Sequence, residues 1–273
     1  GNPLIREGMR SFVSQSDLEA RSQDFVLTGD GTRPDRVLQA RSAVMRGGAG
    51  QPIGLVTILQ DVTRERELDR IKSEFISTAA HELRTPVTVI MGYAELLLDA
   101  REHGTFSADQ TEKFLHDIFR MGETLSRLVE DLLDISRIEA GLPVPLEYEA
   151  CPVSDIAQEL LHRYRGHHGR HNFVFSGDTG TILADGVKLA QVFENLISNA
   201  VKYSPQGGAV SVNIDDRGDL LEVEVADEGI GMTPYQVERI FDRFYRADSS
   251  NTSVAGLGIG MSIVKSIVEG HGG

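Results

Sequence analysis

The stretch Phe75-Ile-Ser-Thr-Ala-Ala-His-Glu-Leu-Arg-Thr-Pro86 places an imidazole on a predicted helix. Ile76, Ala79, Leu83, Val87, Ile90, Ala94 and Leu97 recur at helical spacing and form one apolar stripe. At about 100° per residue, His81 lies roughly 160–200° from Ala79 and Leu83, on the opposite face. Ser77, Thr78, Arg84, Thr85 and Thr88 share that outer face. The helix therefore points His81 at solvent, beside the Glu82 carboxylate and one turn from the Thr85 hydroxyl. A lone exposed histidine is ordinarily just a solvated side chain, so the rest of the chain has to decide.

Composition narrows the choices. A chain of 273 residues with 40% hydrophobic content is ordinary globular material, long enough for about two domains. The single cysteine, Cys151, permits no intrachain disulfide, which fits a reducing, cytoplasmic setting. No apolar run approaches the ~20 residues needed to cross a bilayer, and no signal peptide opens the chain. Any membrane attachment is expected through regions outside this chain. The net charge of −14 argues against a nucleic-acid binder, whose affinity comes from neutralising phosphates. It leaves room for a single nucleotide, held by local glycines, a lysine and a metal.

Along the chain, residues 1–62 read as a short helix (about Pro3–Ser14) followed by strands Ser22–Thr28, Arg36–Met45 and Ile53–Val62. Turn clusters at Thr28–Pro34 and Arg46–Pro52 separate the strands. So small a core is marginal alone and should lean on something further. From Thr63 the pattern turns helical and charged, with Asp61 or Thr63 available as a cap. This helix is expected to reach about Ala100, on the order of 55 Å. Pro86 should interrupt it with a kink or soft point, since proline cannot donate to the Glu82 carbonyl.

After a turn at Arg101–Phe106, residues Phe114, Ile118, Met121, Leu125, Leu128, Leu132 and Ile135 alternate four- and three-residue steps, a heptad seam. Two antiparallel helices leave one apolar side open, which a second chain would close as a four-helix bundle; a homodimer is expected. The hairpin could be a dimerisation element only, or a substrate as well. Beyond Gly141–Pro145 the pattern becomes mixed: helix Val153–Tyr164, strands His171–Ser176 and Thr181–Ala184, helix Gly186–Tyr203, hairpin strands Ala209–Ile214 and Leu220–Ala226, and a last helix from about Gly258.

A second constellation lies in the helix around Asn195. Leu189, Phe193, Leu196, Ile197, Ala200 and Val201 make its apolar face, and Gln191, Asn195, Asn199 and Lys202 line another. Asparagine is a poor mid-helix residue, so two of them four apart suggest more than a solvated surface, although that reading stays open. Amide oxygens at this spacing suit Mg²⁺ shared with phosphate oxygens, with Lys202 nearby. The strand ending at Ala226 runs into Asp227-Glu-Gly-Ile-Gly231, a carboxylate and glycines suited to the donor edge of a base such as adenine. Gly256-Leu-Gly-Ile-Gly260 opens the last helix and can offer N–H groups to an anion. Either glycine motif could be an ordinary turn. Between them, Met232–Ala255 reads as a long irregular lid, with Phe241 and Phe244 as its anchors or as core residues.

Taken together these segments resemble the sensor histidine kinases of two-component signalling. His81–Pro86 looks like the H box, Asn195–Tyr203 the N box, Asp227–Gly231 the G1 box, Phe241–Tyr245 the F box and Gly256–Gly260 the G2 box. The likeness covers residues 63–273, and residues 1–62 resemble the C-terminal part of a PAS sensor domain. The resemblance implies an α+β multidomain chain: a partial PAS-like segment (1–62), a dimerisation and histidine-phosphotransfer hairpin (63–145) and a Bergerat-type α/β-sandwich ATP-binding domain (146–273). By likeness His81 takes the γ-phosphate, Glu82 is its base, and Thr85 positions water for dephosphorylating a response-regulator receiver. Asn195 and Asn199 would hold Mg²⁺. Lys202 and Tyr203 would line the phosphate side of ATP, Asp227 would read adenine, and Gly229, Gly231, Gly256, Gly258 and Gly260 would shape the pocket.

Two departures stand out. The chain stops at His271-Gly-Gly273, where the family's domain continues into a strand hairpin, and the PAS-like portion lacks its first half. A fragment of something longer is therefore expected. Two rivals remain: an ATPase of the same nucleotide-binding superfamily, and a dimeric sensor or phosphatase scaffold without kinase activity.

Overall fold

The structure, a computed structural model, describes residues 21–27, 35–48, 50–103, 106–166, 169–177, 180–246 and 257–273. The expected helix at Pro3–Ser14 and the turn at Thr28–Pro34 lie outside or largely outside these residues. The chain forms two units that divide between Glu74 and Phe75.

In the first unit, alternating residues build an antiparallel meander of β1 (Arg21–Leu27), β2 (Arg36–Arg46) and β3 (Pro52–Asp61). Val26 faces Val37, and Ala40 pairs with Leu59. Ala40 and Ser42 are buried while Arg41 between them is exposed, the period-2 signature of a half-covered sheet. The Ser42 and Thr57 hydroxyls bond across the strands at 2.7 Å. Helix α1 (Thr63–His103) starts directly after β3. Asp61 accepts from the Thr63 hydroxyl and from its backbone N–H, and these two bonds hold the carboxyl below its ordinary pKa. Arg66 pairs with Asp24, and Val62 N–H donates to the Val37 carbonyl at 2.9 Å. The strand-to-helix change thus falls at 62/63 as expected, while compactness divides further on because the first turn of α1 is tied to the sheet.

In the second unit α1 continues unbroken through Pro86, where an interruption was expected. The missing Glu82 acceptor bond is a local loss that flanking turns tolerate. Helix α2 (Ala108–Glu139) begins at a capping box in which Ser107 accepts from Gln110 N–H and the Gln110 side chain accepts from Ser107 N–H. It ends where Gly141 adopts φ 71°, a left-handed stop that suits glycine. Tyr93 stacks on Phe114 with centroids 5.0 Å apart, and Phe106 meets Phe114 edge-on. The heptad seam is half-buried along its length and fully buried at Ile135.

The remaining elements are β4 (Glu149–Cys151), α3 (Val153–Arg165), β5 (His171–Gly177), β6 (Ile182–Ala184), α4 (Gly186–Lys202), β7 (Gly208–Asp216), β8 (Leu221–Asp227), α5 (Pro234–Arg239) and α6 (Gly260–Gly270). β5, β7 and β8 make one sheet, with β5–β7 parallel and β7–β8 antiparallel, and β4 pairs with β6. Alternate β7 residues Val210, Val212 and Ile214, with Phe173 of β5, pack on Ala157, Leu160 and Leu161 of α3 and on Phe193, Ile197 and Ala200 of α4. A second apolar cluster joins Ile135 and Ile138 of α2 to Val192 of α4, to Leu257 and Ile259, and to Ile263 and Ile267 of α6. Two short elements, β4 and α5, escaped the sequence reading. α5 lies within the stretch expected to be irregular, and Thr233 with Gln236 forms a capping box at its start. Cys151 is buried, and burial, then Glu149 and Asp185, push its thiol pKa up, which suits an inert core residue.

Candidate active site

Helix α1 sets His81 on its exposed side while Ala79, two residues before, is buried in the second cluster. Thr85 is also exposed, and its hydroxyl donates to the His81 carbonyl at 3.2 Å. Glu82 is half-buried. The imidazole is thus open to solvent, on a helix whose other side is fixed by packing.

Helix α4 is positioned by Asp185 at its N-cap, which accepts from Lys188 N–H at 2.9 Å and from Glu147 N–H at 2.8 Å. Burial raises the Asp185 pKa, but these backbone donors outweigh it and hold the carboxyl below its ordinary value. Asp185 N–H donates to His271 Nε2 at 3.0 Å, so that ring carries its proton on Nδ1, which donates to the Ile267 carbonyl at 2.8 Å. Two core clusters grip α4 from different sides, Phe193 and Ile197 in one and Val192 in the other. Asn195, Asn199 and Lys202 are left half-buried along the strip between. Gln191, grouped with them by spacing, is turned away: its side chain donates to Asp131 of α2 at 2.8 Å and to Asp134 at 3.2 Å.

Of the expected glycines, Gly260 reaches that strip and Gly229 packs on the turn that follows it. A Cβ on Gly260 would lie 2.8 Å from Asn195 Oδ1, so the start of α6 approaches the amide closely. Gly258 has φ 69°, and a Cβ there would sit 2.9 Å from Arg246 Cγ. Gly231 also has a positive φ of 65°. A Cβ on Gly229 would collide with the Tyr203 carbonyl and approach the Ser204 hydroxyl to 2.7 Å. Asp227 Oδ1 accepts from Gly229 N–H at 2.8 Å and from the Ser204 hydroxyl at 3.5 Å, which leaves Oδ2 as the outward acceptor. Ile230 N–H donates to the Tyr203 carbonyl at 3.1 Å and ties the two loops together. Gly256 lies outside the described residues.

Lys202 is the cation of the strip. Burial first, and then the neighbouring Arg246, push its pKa down, while Glu82 of α1 opposes the shift. Its ammonium lies 5.3 Å from the Tyr203 ring centre. Arg246 directly follows the Phe241–Tyr245 motif, but nothing local pointed it toward Lys202. Of the two anchor phenylalanines, Phe244 packs on Phe75 of α1 with ring centroids 4.4 Å apart. It does so at φ 63°, a left-handed conformation that costs a bulky side chain energy. Phe241 is instead 44% exposed, so it is no core anchor. Among the described residues no group of three histidine, cysteine or acidic side chains gathers as a metal cluster.

Two family models match the chain. Residues 71–141 match the His Kinase A (phospho-acceptor) domain, and residues 184–273 match the histidine kinase-, DNA gyrase B- and HSP90-like ATPase. The chain is similar to the sensor histidine kinase WalK of Bacillus subtilis (strain 168), with 31% identity over 272 residues covering 97% of this chain and 44% of that protein. It is 30% identical to the sensor protein SrrB of Staphylococcus aureus, covering 99% of this chain and 45% of that one. It thus spans less than half the length of these curated relatives. Among solved structures, full-length ShkA in complex with AMPPNP superposes with a TM-score of 0.50 and 25% identity, covering 73% of this chain and 41% of that one. Both matched regions fall on folded elements and in the order in which the exposed histidine and the asparagine strip occur. The chain belongs to the two-component sensor histidine kinases.

Proposed function

We propose that this chain autophosphorylates His81 from ATP and passes the phosphoryl group to an aspartate of a response-regulator receiver domain. The observation that carries this is an exposed histidine on the stretch of α1 where Phe75 packs on Phe244 of the ATPase-type fold, ring centroids 4.4 Å apart, within one folded unit. A neutral ring nitrogen of His81 attacks the γ-phosphorus. The bond from phosphorus to the β–γ bridging oxygen breaks, and ADP leaves with that electron pair. Glu82 accepts the proton from the opposite ring nitrogen. The receiver aspartate then displaces the imidazole from phosphorus. Transfer of this kind depends mainly on positioning and charge compensation.

Asp227 Oδ2 accepts from the adenine amine, since Oδ1 is already engaged. Lys202 and Arg246 would face the phosphates, and the peptide N–H groups around Gly258 and Gly260 would cradle them. The amide oxygens of Asn195 and Asn199 suit a hard cation, and the close approach of Gly260 leaves Asn195 Oδ1 facing the start of α6. Mg²⁺ held there would shield the triphosphate charge. The ShkA likeness supports nucleotide use. Exposed Thr85 fits the water-positioning role in dephosphorylating the receiver.

Homodimerisation is supported by apolar side chains left uncovered on both hairpin helices. Ile76, Val87, Met91 and Leu98 of α1, and Leu115, Phe119, Val129 and Leu133 of α2, are exposed in the single chain. A second copy covering them makes a four-helix bundle. Among the described residues no helix is long and apolar enough to cross a membrane. The test is labelling with γ-³²P-ATP: His81→Gln is expected to take no acid-labile, base-stable label while binding ATP normally, and retained label would refute the acceptor assignment.

A further inference from the structure

We infer that a polar clamp between α2 and α4 docks the nucleotide-binding fold on the hairpin of its own chain, so that each His81 is phosphorylated by the ATP its own chain binds. The inference rests on the kinase reading above and extends it to a set of positioning residues and to the direction of transfer.

Lys188 of α4 donates to Asp134 of α2 at 2.7 Å, with the two side chains only 17% and 7% exposed. Gln191, one turn further along α4, donates to Asp131 and again to Asp134, and its own oxygen accepts from Lys188 at 3.2 Å. One turn further still, Glu194 accepts from Arg127 of α2 at 3.0 Å, and Tyr164 and Arg163 of α3 donate to the same carboxylate. Burial pushes the Asp131 pKa up, as expected for a carboxyl closed into a dry interface. These contacts flank the second apolar cluster, where Ile135 and Ile138 of α2 meet Val192 of α4. They are directional, whereas apolar burial alone would tolerate sliding.

The clamp grips the helix that carries Asn195, Asn199 and Lys202. In the arrangement it holds, Phe244 rests on Phe75, Ala79 lies in the shared cluster, and Lys202 is electrostatically coupled to Glu82. Phe75, Ala79 and Glu82 lie along the stretch of α1 that bears His81. The fold that carries the phosphate-side lysine is therefore packed on the stretch of α1 that bears the acceptor histidine of the same chain. Spacing groups Gln191 with Asn195, Asn199 and Lys202, but its bonds to α2 make it, with Lys188, a positioning residue.

The test has two arms. In the first, Lys188→Glu and Asp134→Lys are expected singly to slow His81 labelling at saturating ATP by about tenfold or more, with ATP affinity unchanged by calorimetry. The double reversal should restore most of the rate, a rescue that a purely structural or nucleotide-binding role would not produce. Should a single variant fail to fold, exposed Arg127→Glu, opposing Glu194, provides the same measurement with a smaller slowing. Wild-type or faster labelling in folded single variants, or loss of ATP affinity in step with rate, overturns the clamp. In the second arm, a His81→Gln chain and an Asn199→Ala chain carry different tags and are co-expressed and purified through both. No label is expected on the mixed species. Label on the Asn199→Ala chain overturns it. A wild-type chain that takes no label would instead break the kinase reading, so the two failures are distinguishable.

Discussion

The two helices to which the proposed chemistry is assigned are built in opposite ways. Around His81, α1 is packed on one side and open on the other, with an exposed imidazole above a buried Ala79. Around Asn195, α4 is gripped by two core clusters, and its functional strip is half-buried between them. The contrast matches what each partner in the proposed phosphoryl transfer needs. An acceptor that must meet both a nucleotide and a second protein requires access, and one solvent-facing side supplies it. A nucleotide donor requires several groups held in fixed relation, which takes burial on more than one side.

Substitutions can break or sharpen that contrast. The largest stability effect belongs to the doubly gripped helix: Ile197→Ala, fully buried in the sheet core, is expected to cost about 2–5 kcal/mol. Ile76→Ala on the open side of α1, where the side chain is 59% exposed, should cost under about 1 kcal/mol in a single chain. Chemical denaturation of both variants measures the difference, and equal losses would erase it. A larger, concentration-dependent loss at Ile76 would instead reveal a second copy covering that stripe.

Asn199→Ala is next, expected to weaken Mg²⁺-ATP binding by about tenfold or more, roughly 1.4 kcal/mol, with little change in thermal stability. Calorimetry with and without Mg²⁺ checks it, and an unchanged affinity would remove the metal role. Gly260→Ala should weaken nucleotide binding by a smaller factor, about threefold, because its Cβ would press on Asn195 Oδ1 at 2.8 Å. Undiminished affinity would show that Asn195 can yield without loss.

The smallest effect concerns charge. Burial raises the pKa of Asp131 in the folded state, so its ionised form is a cost at neutral pH that disappears once the folded chain is protonated. Asp131→Asn is therefore expected to raise stability slightly at pH 7, by under about 1 kcal/mol. That gain should fade as pH falls through the raised pKa toward the ordinary value of 3.8. Denaturation at pH 7 and pH 4 tests the sign, and a destabilised variant at pH 7 would reverse it.

Much of this architecture is legible without coordinates where the signal is local. The seam from Phe114 to Ile135 is a heptad repeat and becomes α2, and alternation at Ala40 and Ser42 becomes a half-covered sheet. The opposite facing of Ala79 and His81 follows from 100° per residue. Short elements were missed for want of periodicity. β4 spans three residues and α5 six, too few for a repeat to register.

By itself, then, the sequence determined which of the longer helices and strands form, which face carries His81, and which glycines and amides follow one another in order. Each of these is written in spacing between near neighbours. Only the tertiary structure decided that Gln191 serves α2 and that Arg246 sits beside Lys202. It alone put Phe244 on Phe75 at the cost of a left-handed backbone, and Lys202 within the electrostatic reach of Glu82. Those pairings join residues dozens to more than a hundred positions apart, and they are set by which apolar surfaces close on one another, a choice that no local period encodes.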